Sequence, residues 1–400
     1  SGAINGALTK LHKVSGGRAD RDSDRREILE RMQEESAQET QHEGKENQRA
    51  IQQRYRQQIM AFAEEEANNV SFALEAIKES MAMISGLEGR KAMVYISSGL
   101  PMSPGIGLMQ EYSSAFRDPS FMGRRFNTDR TNAFKALTSA ANAQDVTLYT
   151  IDASGLNPLE GYGADSRWGN VDPTAASMGM KSYQDSLRYM ARYTGGLSIV
   201  NTNDILGGLE LIRDDVYSYY SLGYTISNSG QDRVHKIDVE VVDHPEYDLR
   251  FRRRFVEKSR ETQVQDRVFS ALVVELEDNP MDLAVDRGRA SPAAADRWSV
   301  PLHLSFPLQT IALVPQGEEY LGQVVLFLGA RDMAGRSSEM QRQEHEIRIP
   351  AEQYQAATEQ RFGIDFQLLL REGQHRVSVG LMDRVTRQAA YDRIVVTVPQ

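Results

Sequence analysis

Arg90-Lys91-Ala92-Met93-Val94-Tyr95-Ile96-Ser97-Ser98-Gly99-Leu100-Pro101 decides how this chain is read. Met93, Val94, Tyr95 and Ile96 form a short apolar run, with Gly89 before it and Ser-Ser-Gly-Leu-Pro after it. A run of that length between turn signals predicts a buried parallel strand covered on both faces. The pattern then repeats. Residues 131–143 have helical spacing and lead into Val146-Thr147-Leu148-Tyr149-Thr150-Ile151-Asp152. Residues 182–193 do the same and lead, through Gly195-Gly196, into Leu197-Ser198-Ile199-Val200. Alternating strands and helices predict a doubly wound α/β sheet. Such sheets bind ligands at the carboxyl ends of their strands, here Ser97-Ser98-Gly99, Asp152-Ala153-Ser154-Gly155 and Asn201-Thr202-Asn203-Asp204.

Composition sets the outer bounds. The chain has 400 residues, enough for two or three domains. It is 40% hydrophobic and 26% charged, as a globular protein is. A net charge of −10 argues against a protein that coats nucleic acid. No apolar run approaches a membrane span. With no cysteine there is no disulfide, thiolate metal site or cysteine nucleophile within the chain. Ser1-Gly2 is not a natural translation start, and no signal sequence is visible.

Upstream of the central strand, residues 4–14 carry Ile4, Ala7, Leu8 and Leu11 at helical spacing. Residues 18–49 are dense in Arg, Asp, Glu and Gln and predict a solvated helical arm with a break near Gly44. From Ile51 to Ile84, apolar residues recur at three- and four-residue steps without Gly or Pro. That is a helix of roughly 50 Å, longer than one sheet needs, so its first half is expected to project. It is either a covering helix with a solvated extension or a hairpin that meets a partner through Tyr55, Ile59 and Phe62.

Downstream, residues 98–126 and 153–180, the second holding Trp168, read as two long loops leaving the same edge of the sheet. Residues 203–215 read as the last helix. The period then changes to two: residues 217–224, 236–242 and 249–255 predict an antiparallel meander turning at 243–248. Matching apolar faces places Val241 opposite Phe251 and Ile237 opposite Phe255, with Glu240–Arg252 and Asp238–Arg254 pairs across the strands. An anion-binding patch is the alternative use of Arg250, Arg252 and Arg254. Residues 257–297 read as a helical linker and loop. From Trp298 seven strands follow, near 300–306, 309–314, 320–330, 344–349, 362–370, 373–383 and 389–398, which predicts a β-sandwich of immunoglobulin-like size.

In order along the chain, Gly89-Arg90-Lys91-Ala92-Met93-Val94-Tyr95-Ile96-Ser97-Ser98-Gly99-Leu100, Leu148-Tyr149-Thr150-Ile151-Asp152, Thr194-Gly195-Gly196 and Tyr219-Tyr220-Ser221-Leu222-Gly223-Tyr224 resemble the von Willebrand factor A-related proteins of the acidobacterial type. The hairpin over 235–255, Val300-Pro301-Leu302 and Gly373-Gln374-His375-Arg376-Val377-Ser378-Val379-Gly380 fit the same pattern. The resemblance implies a Rossmann-like A domain over 1–256, with the arm and long helix at 18–85 and the meander at 217–255. A β-sandwich domain over 298–400 follows.

Many A domains bind through a divalent ion held by Asp-x-Ser-x-Ser after the first strand, a Thr from a later loop and an Asp after the fourth strand. Such an ion takes oxygen ligands and accepts a partner carboxylate. Set against the family, Ser1 falls after the first three strands, the arm occupies the threonine's place, and Ser98 stands where the fourth-strand Asp would be. Asp152 and Ser154 copy half of the motif, but Leu156 replaces its second Ser. Ser98, Asp152 and Ser154 are therefore degenerate metal-site positions. No cofactor is expected, and magnesium only together with upstream residues. Without the earlier strands, Met93 to Ile96 would form an open hydrophobic edge.

The expected function is a non-enzymatic protein-binding or assembly module, exported or in the cell envelope, that presents the loops 98–126 and 153–180. A metal-dependent adhesion module completed upstream is the alternative, and a hydrolase the third reading. Enzyme signatures are missing. No Gly-x-Ser-x-Gly surrounds Ser98, Gly105-Ile106-Gly107 lacks a third glycine, and the seven histidines are scattered.

Overall fold

The computed structural model describes residues 18–42, 45–156, 172–223, 231–244, 246–275, 278–293 and 297–399. Trp168, most of the second loop and the helix-spaced residues 4–14 lie outside them. The N-terminal region is mixed α/β around a small parallel sheet. In chain order it comprises α1 (Arg18–His42), α2 (Lys45–Ala82), β1 (Lys91–Ser97), α3 (Ile106–Ala115), α4 (Thr131–Ala143), β2 (Val146–Asp152), α5 (Pro173–Thr194), β3 (Ser198–Ile199) and α6 (Ile205–Tyr217). The sheet order is β1-β2-β3, and β1 runs parallel to β2 from Lys91↔Val146 to Ser97↔Asp152.

Helix periodicity explains one face. Val70, Leu74, Ile77 and Met81 of α2, Phe134, Leu137 and Ala141 of α4, and Leu187 and Met190 of α5 bury against Val146 and Leu148 of β2. On the other face Ile212 of α6 is buried on Tyr149 and Ile151, with Ile205 and Val216 beside it. The ends of α5 are written in the sequence. Asp172 caps it by accepting from Thr174 N, Pro173 opens it, and Gly195 closes it at φ 80°. The three residues after Tyr193 also seat the helix on the sheet. Leu148 N donates to Thr194 Oγ1 at 2.9 Å, and a Cβ on Gly196 would stand 2.1 Å from Leu148 O.

Several expectations are corrected. β1 is not covered on both faces: among the described residues it ends the sheet, and Val94 and Ile96 are 44% and 57% exposed. The first half of α2 does not project. Tyr55, Ile59 and Ala63 are buried with Leu29 and Met32 of α1 and with Leu108, Met109, Tyr112 and Phe121 from the segment after β1. The arm does have something to bury, because its few apolar residues, Ile28, Leu29 and Met32, share one stripe. Residues 173–179 belong to α5, not to a loop.

Residues 218–223 form no strand, and Tyr219, Tyr220 and Leu222 are exposed. The hairpin is shorter and shifted by two residues: β4 (Arg233–Lys236) pairs with β5 (Arg254–Glu257), and His235, not Ile237, faces Phe255. A two-residue shift keeps every side chain on its face, so the apolar pattern could not choose between the registers. The expected Asp238–Arg254 and Glu240–Arg252 pairs are replaced by Arg252–Asp145 and Arg250–Asp215.

After α7 (Arg260–Ala271) the chain becomes an antiparallel β-rich region with a curled, half-barrel sheet. Its strands are β6 (Ala284–Arg287), β7 (Ser291–Pro292), β8 (Arg297–Pro307), β9 (Val314–Gln316), β10 (Glu319–Asp332), β11 (Gln341–Pro350), β12 (Arg361–Arg371), β13 (Gly373–Asp383) and β14 (Ala389–Val398). One sheet runs β11-β10-β13-β14 with β9 on β10. The other runs β12-β8-β6 with β7 on β8. Alternation carries β8, whose Val300, Leu302, Leu304 and Phe306 all enter the shared core. The loop expected over 278–296 contains β6 and β7, and the expected strand at 309–314 is a 3-10 turn (Leu308–Thr310) before β9.

The segment read as a linker is the joint between the two regions. Val264 and Val268 of α7 pack on Val325, Phe327 and Met382. On the N-terminal side Gly86 N donates to Ser270 Oγ at 2.8 Å, and a Cβ at Gly86 would lie 2.6 Å from Arg267 Cα.

Candidate functional site

The carboxyl ends of the parallel strands do bring some of the expected residues together. Asp152 is buried and lies across the ladder from Ser97. Its Oδ1 accepts from Ser154 N at 3.0 Å and from Ser154 Oγ. Ala153 N donates to Ser97 O at 3.1 Å. Gly155 turns at φ 70°, and Leu156 N donates to Asn203 Oδ1 at 2.7 Å. Asp152 and Ser154 thus form a side-chain-closed turn in which the serine takes one carboxylate oxygen, Oδ1. Ser98 is half-buried beside them. Among the described residues no group of three His, Asp or Glu side chains could hold a metal ion.

The segment after Ser98 is strapped to α5 and α2 rather than held out as a free loop. Leu100 N donates to Ser186 Oγ at 3.2 Å, Met102 N to Ser182 O at 3.1 Å and Ser103 N to Ser182 Oγ at 2.9 Å. Gly105 N donates to the buried Glu66 at 3.0 Å, and Tyr183 donates its hydroxyl to the same carboxylate. Beyond it α3 carries a buried acid, Glu111, which accepts from Gln33 Nε2 at 2.9 Å and Asp172 N at 3.1 Å. Burial pushes the Glu111 carboxyl up. Asp172 is held low, chiefly by the Ser114 hydroxyl that donates to it at 2.6 Å. These acids tie α1, α3 and α5 together, and their oxygens are taken by donors within the chain.

Of the residues expected to meet a partner, Tyr55 and Ile59 are fully buried, and Phe62 is half-buried against the same cluster. Burial raises the Tyr55 hydroxyl pKa. These side chains are core because α3 and the segment before α4 lie over them. Nothing in the local pattern of α2 announces that cover. Trp168 lies outside the described residues.

The exposed apolar surface lies instead on β1. Register places Val94 beside Tyr149 and Ile96 beside Ile151, so all four share the face that α6 covers. That cover stops at β2. Met93 and Tyr95, on the opposite face, pack on the α2–α4–α5 core, while Val94 and Ile96 reach solvent. The outer edge of β1 pairs with no strand among the described residues. Elsewhere on its surface α6 exposes Leu206 and Leu211.

A polar network pins the floor. Arg90 Nη2 donates to Tyr149 Oη at 2.8 Å, Tyr149 Oη donates to Asp215 Oδ2 at 2.6 Å, and Arg250 Nη2 donates to Asp215 Oδ1 at 2.7 Å. Arg90 also lies 4.8 Å from the centroid of the Tyr219 ring. Burial, and then the hydrogen bond to Asp215, push the Tyr149 hydroxyl far up. Burial works to raise Asp215, but the Tyr149 hydroxyl and the two arginines win and hold it below the usual carboxylate range.

No protein-family model matches the chain, and no curated protein is significantly similar to it. A solved structure described as "X-ray structure of Northeast Structural Genomics Consortium target SoR45" aligns with 31% of this chain and 91% of its own, at 11% identity and a TM-score of 0.22. At that score the likeness carries no argument about fold or function.

Proposed function

We propose that this chain is a non-enzymatic protein-binding and assembly module whose docking element is the bare edge of β1. One observation carries the reading: among the described residues β1 bonds to β2 on one side only, and its Val94 and Ile96 are exposed. A parallel strand with apolar side chains and an unpaired row of backbone groups is a surface that folded chains cover. The cover that satisfies both needs is an added strand, which supplies hydrogen bonds along the edge and apolar contacts at alternate residues. The partner is therefore a protein that offers an extended segment with apolar residues two apart.

The finer architecture belongs to the same proposal. The parallel one-to-one ladder with connecting helices supports a von Willebrand factor A-like, Rossmann-like domain over 1–256. The two packed antiparallel sheets support an immunoglobulin-like sandwich over 298–400 that also takes in β6 and β7 ahead of it. An exported or cell-envelope setting goes with that resemblance.

The test is hydrogen exchange on the chain in its native source assembly and after purification to homogeneity. Amides of residues 91–97 that are protected in the assembly and fast in the isolated chain support the reading. Equal exchange in both states would sink it.

A further inference from the structure

A second feature lies in the C-terminal β-rich region and is independent of the β1 edge. In β6 the alternation that buries Leu283 and Val285 brings Arg287 to the same side, where it is exposed at the end of the strand. Register confirms it: Val285 faces Leu304 and Arg287 faces Leu302, both on the core side of β8. The sandwich thus places a guanidinium where its alternation calls for an apolar side chain. Arg287 lines a cavity of about 850 Å³ at the open end of the sandwich. Trp298, Pro292 and Pro399 give it accessible apolar surface, and Arg289 lines it together with Arg287. A volume near this size suits a small-molecule ligand.

Neither arginine pairs with a carboxylate among the described residues. Asp286 points to the outer face by alternation. Asp392 of β14 accepts from Val285 N at 2.9 Å and from Arg393 N at 2.7 Å. Two unpaired guanidiniums beside an indole and aliphatic side chains make a site for one negative charge joined to an apolar body. Arginine favours a planar carboxylate because its donors match both oxygens. The aromatic wall takes the body.

We infer that this cavity binds a small organic carboxylate, its charge held by Arg287 and Arg289 and its apolar part packed on Trp298 and Pro292. The chain has two tryptophans, Trp168 and Trp298, so 5-fluorotryptophan labelling of the whole chain with Trp168→Phe leaves one fluorine resonance at the cavity. The probe is 4-phenylbutyrate, with neutral 4-phenylbutanol as its isostere.

The expected result is a saturable shift of the Trp298 resonance with the carboxylate. The alcohol should bind about tenfold or more weaker, and the Arg287→Gln/Arg289→Gln variant should lose a similar factor for the carboxylate. Three results would each overturn the proposal: no saturable shift, equal binding of the alcohol, or unchanged carboxylate binding in the variant. Both arginines are exposed, so the variant should keep the unliganded Trp298 resonance in place. If that resonance moves, the single variants Arg287→Gln and Arg289→Gln are read instead.

Discussion

β11 and β1 each end a sheet, yet they are built from different residues. β11 reads Gln341-Arg342-Gln343-Glu344-His345-Glu346-Ile347-Arg348-Ile349-Pro350. Its inward side chains, Ile347 and Ile349, are buried, and its remaining surface is charged. Arg342 donates to Glu344 at 2.6 Å and Glu261 at 3.0 Å, Arg348 donates to Glu346 at 2.7 Å, and Pro350 closes the strand. Charge and a terminal proline are how edge strands avoid pairing with other chains. β1 has neither. Its one charged residue, Lys91, is buried and donates to Leu87 O at 3.0 Å, and burial lowers its pKa. The same polypeptide that protects β11 leaves β1 bare, and this supports reading β1 as an interface.

Four experiments break or sharpen that contrast. The largest effect is expected in a matched pair of truncations. Ile347→Ala should cost about 2–4 kcal/mol because it opens a cavity, whereas Ile96→Ala should stay within about 0.5 kcal/mol. Urea unfolding reads both. An equal cost would mean that Ile96 is covered in the free chain, and the contrast would fall.

Next is the floor under β1. Asp215→Asn should cost about 1–3 kcal/mol by leaving Arg90, Arg250 and Tyr149 short of their shared acceptor. Because the folded-state pKa of Asp215 is depressed, its stabilisation is complete above the ordinary aspartate value. It is lost as pH falls through the lower folded value. Acid unfolding followed by circular dichroism should therefore show less pH dependence on the acid side in the variant. An unchanged profile would remove Asp215 from the account.

Stripping the protection from β11 with Arg342→Val, Glu344→Val and Glu346→Val should change stability by only about 1 kcal/mol, since exposed ion pairs contribute little. It should nonetheless make the purified chain associate as concentration rises, seen by light scattering. A chain that stays monomeric would show that charge is not what protects that edge. The smallest change in folding is expected from Val94→Lys with Ile96→Lys, within about 0.5 kcal/mol. The variant should fold as before and fail to recover protection of residues 91–97 when returned to its assembly. Full recovery would place docking elsewhere.

How much of this was legible can be argued residue by residue. α4, β2, β13 and β14 stand where local periodicity put them, because each has a clean period of 3.6 or 2 and turn residues at its ends. β6 and β7 were invisible: four and two residues long, they exist only because β8 pairs with them. Residues 218–223 alternate as a strand should, yet among the described residues none pairs with them as a strand. Asp152 with Ser154 was legible as a cluster, but not as a turn closed on itself. The cavity at Arg287 was missed for the same reason as β6. A guanidinium at an inward position signals a site only once the strand's register is known.

The sequence by itself determined where the strongly periodic elements α4, β2, β13 and β14 form, that α5 ends at Gly195, and that the open edge would be apolar if β1 lacked a neighbour. These follow from backbone propensity, spacing and turn chemistry within a few residues. Tertiary structure alone decided which strand ends the sheet, that Tyr55 and Ile59 serve the core, that β4 meets β5 two residues out of the expected register, and that α7 is a joint. Each depends on contacts between residues far apart in the chain, such as Gly86 with Ser270. Local periodicity specifies which face of an element is apolar, and the distant chain decides what covers it.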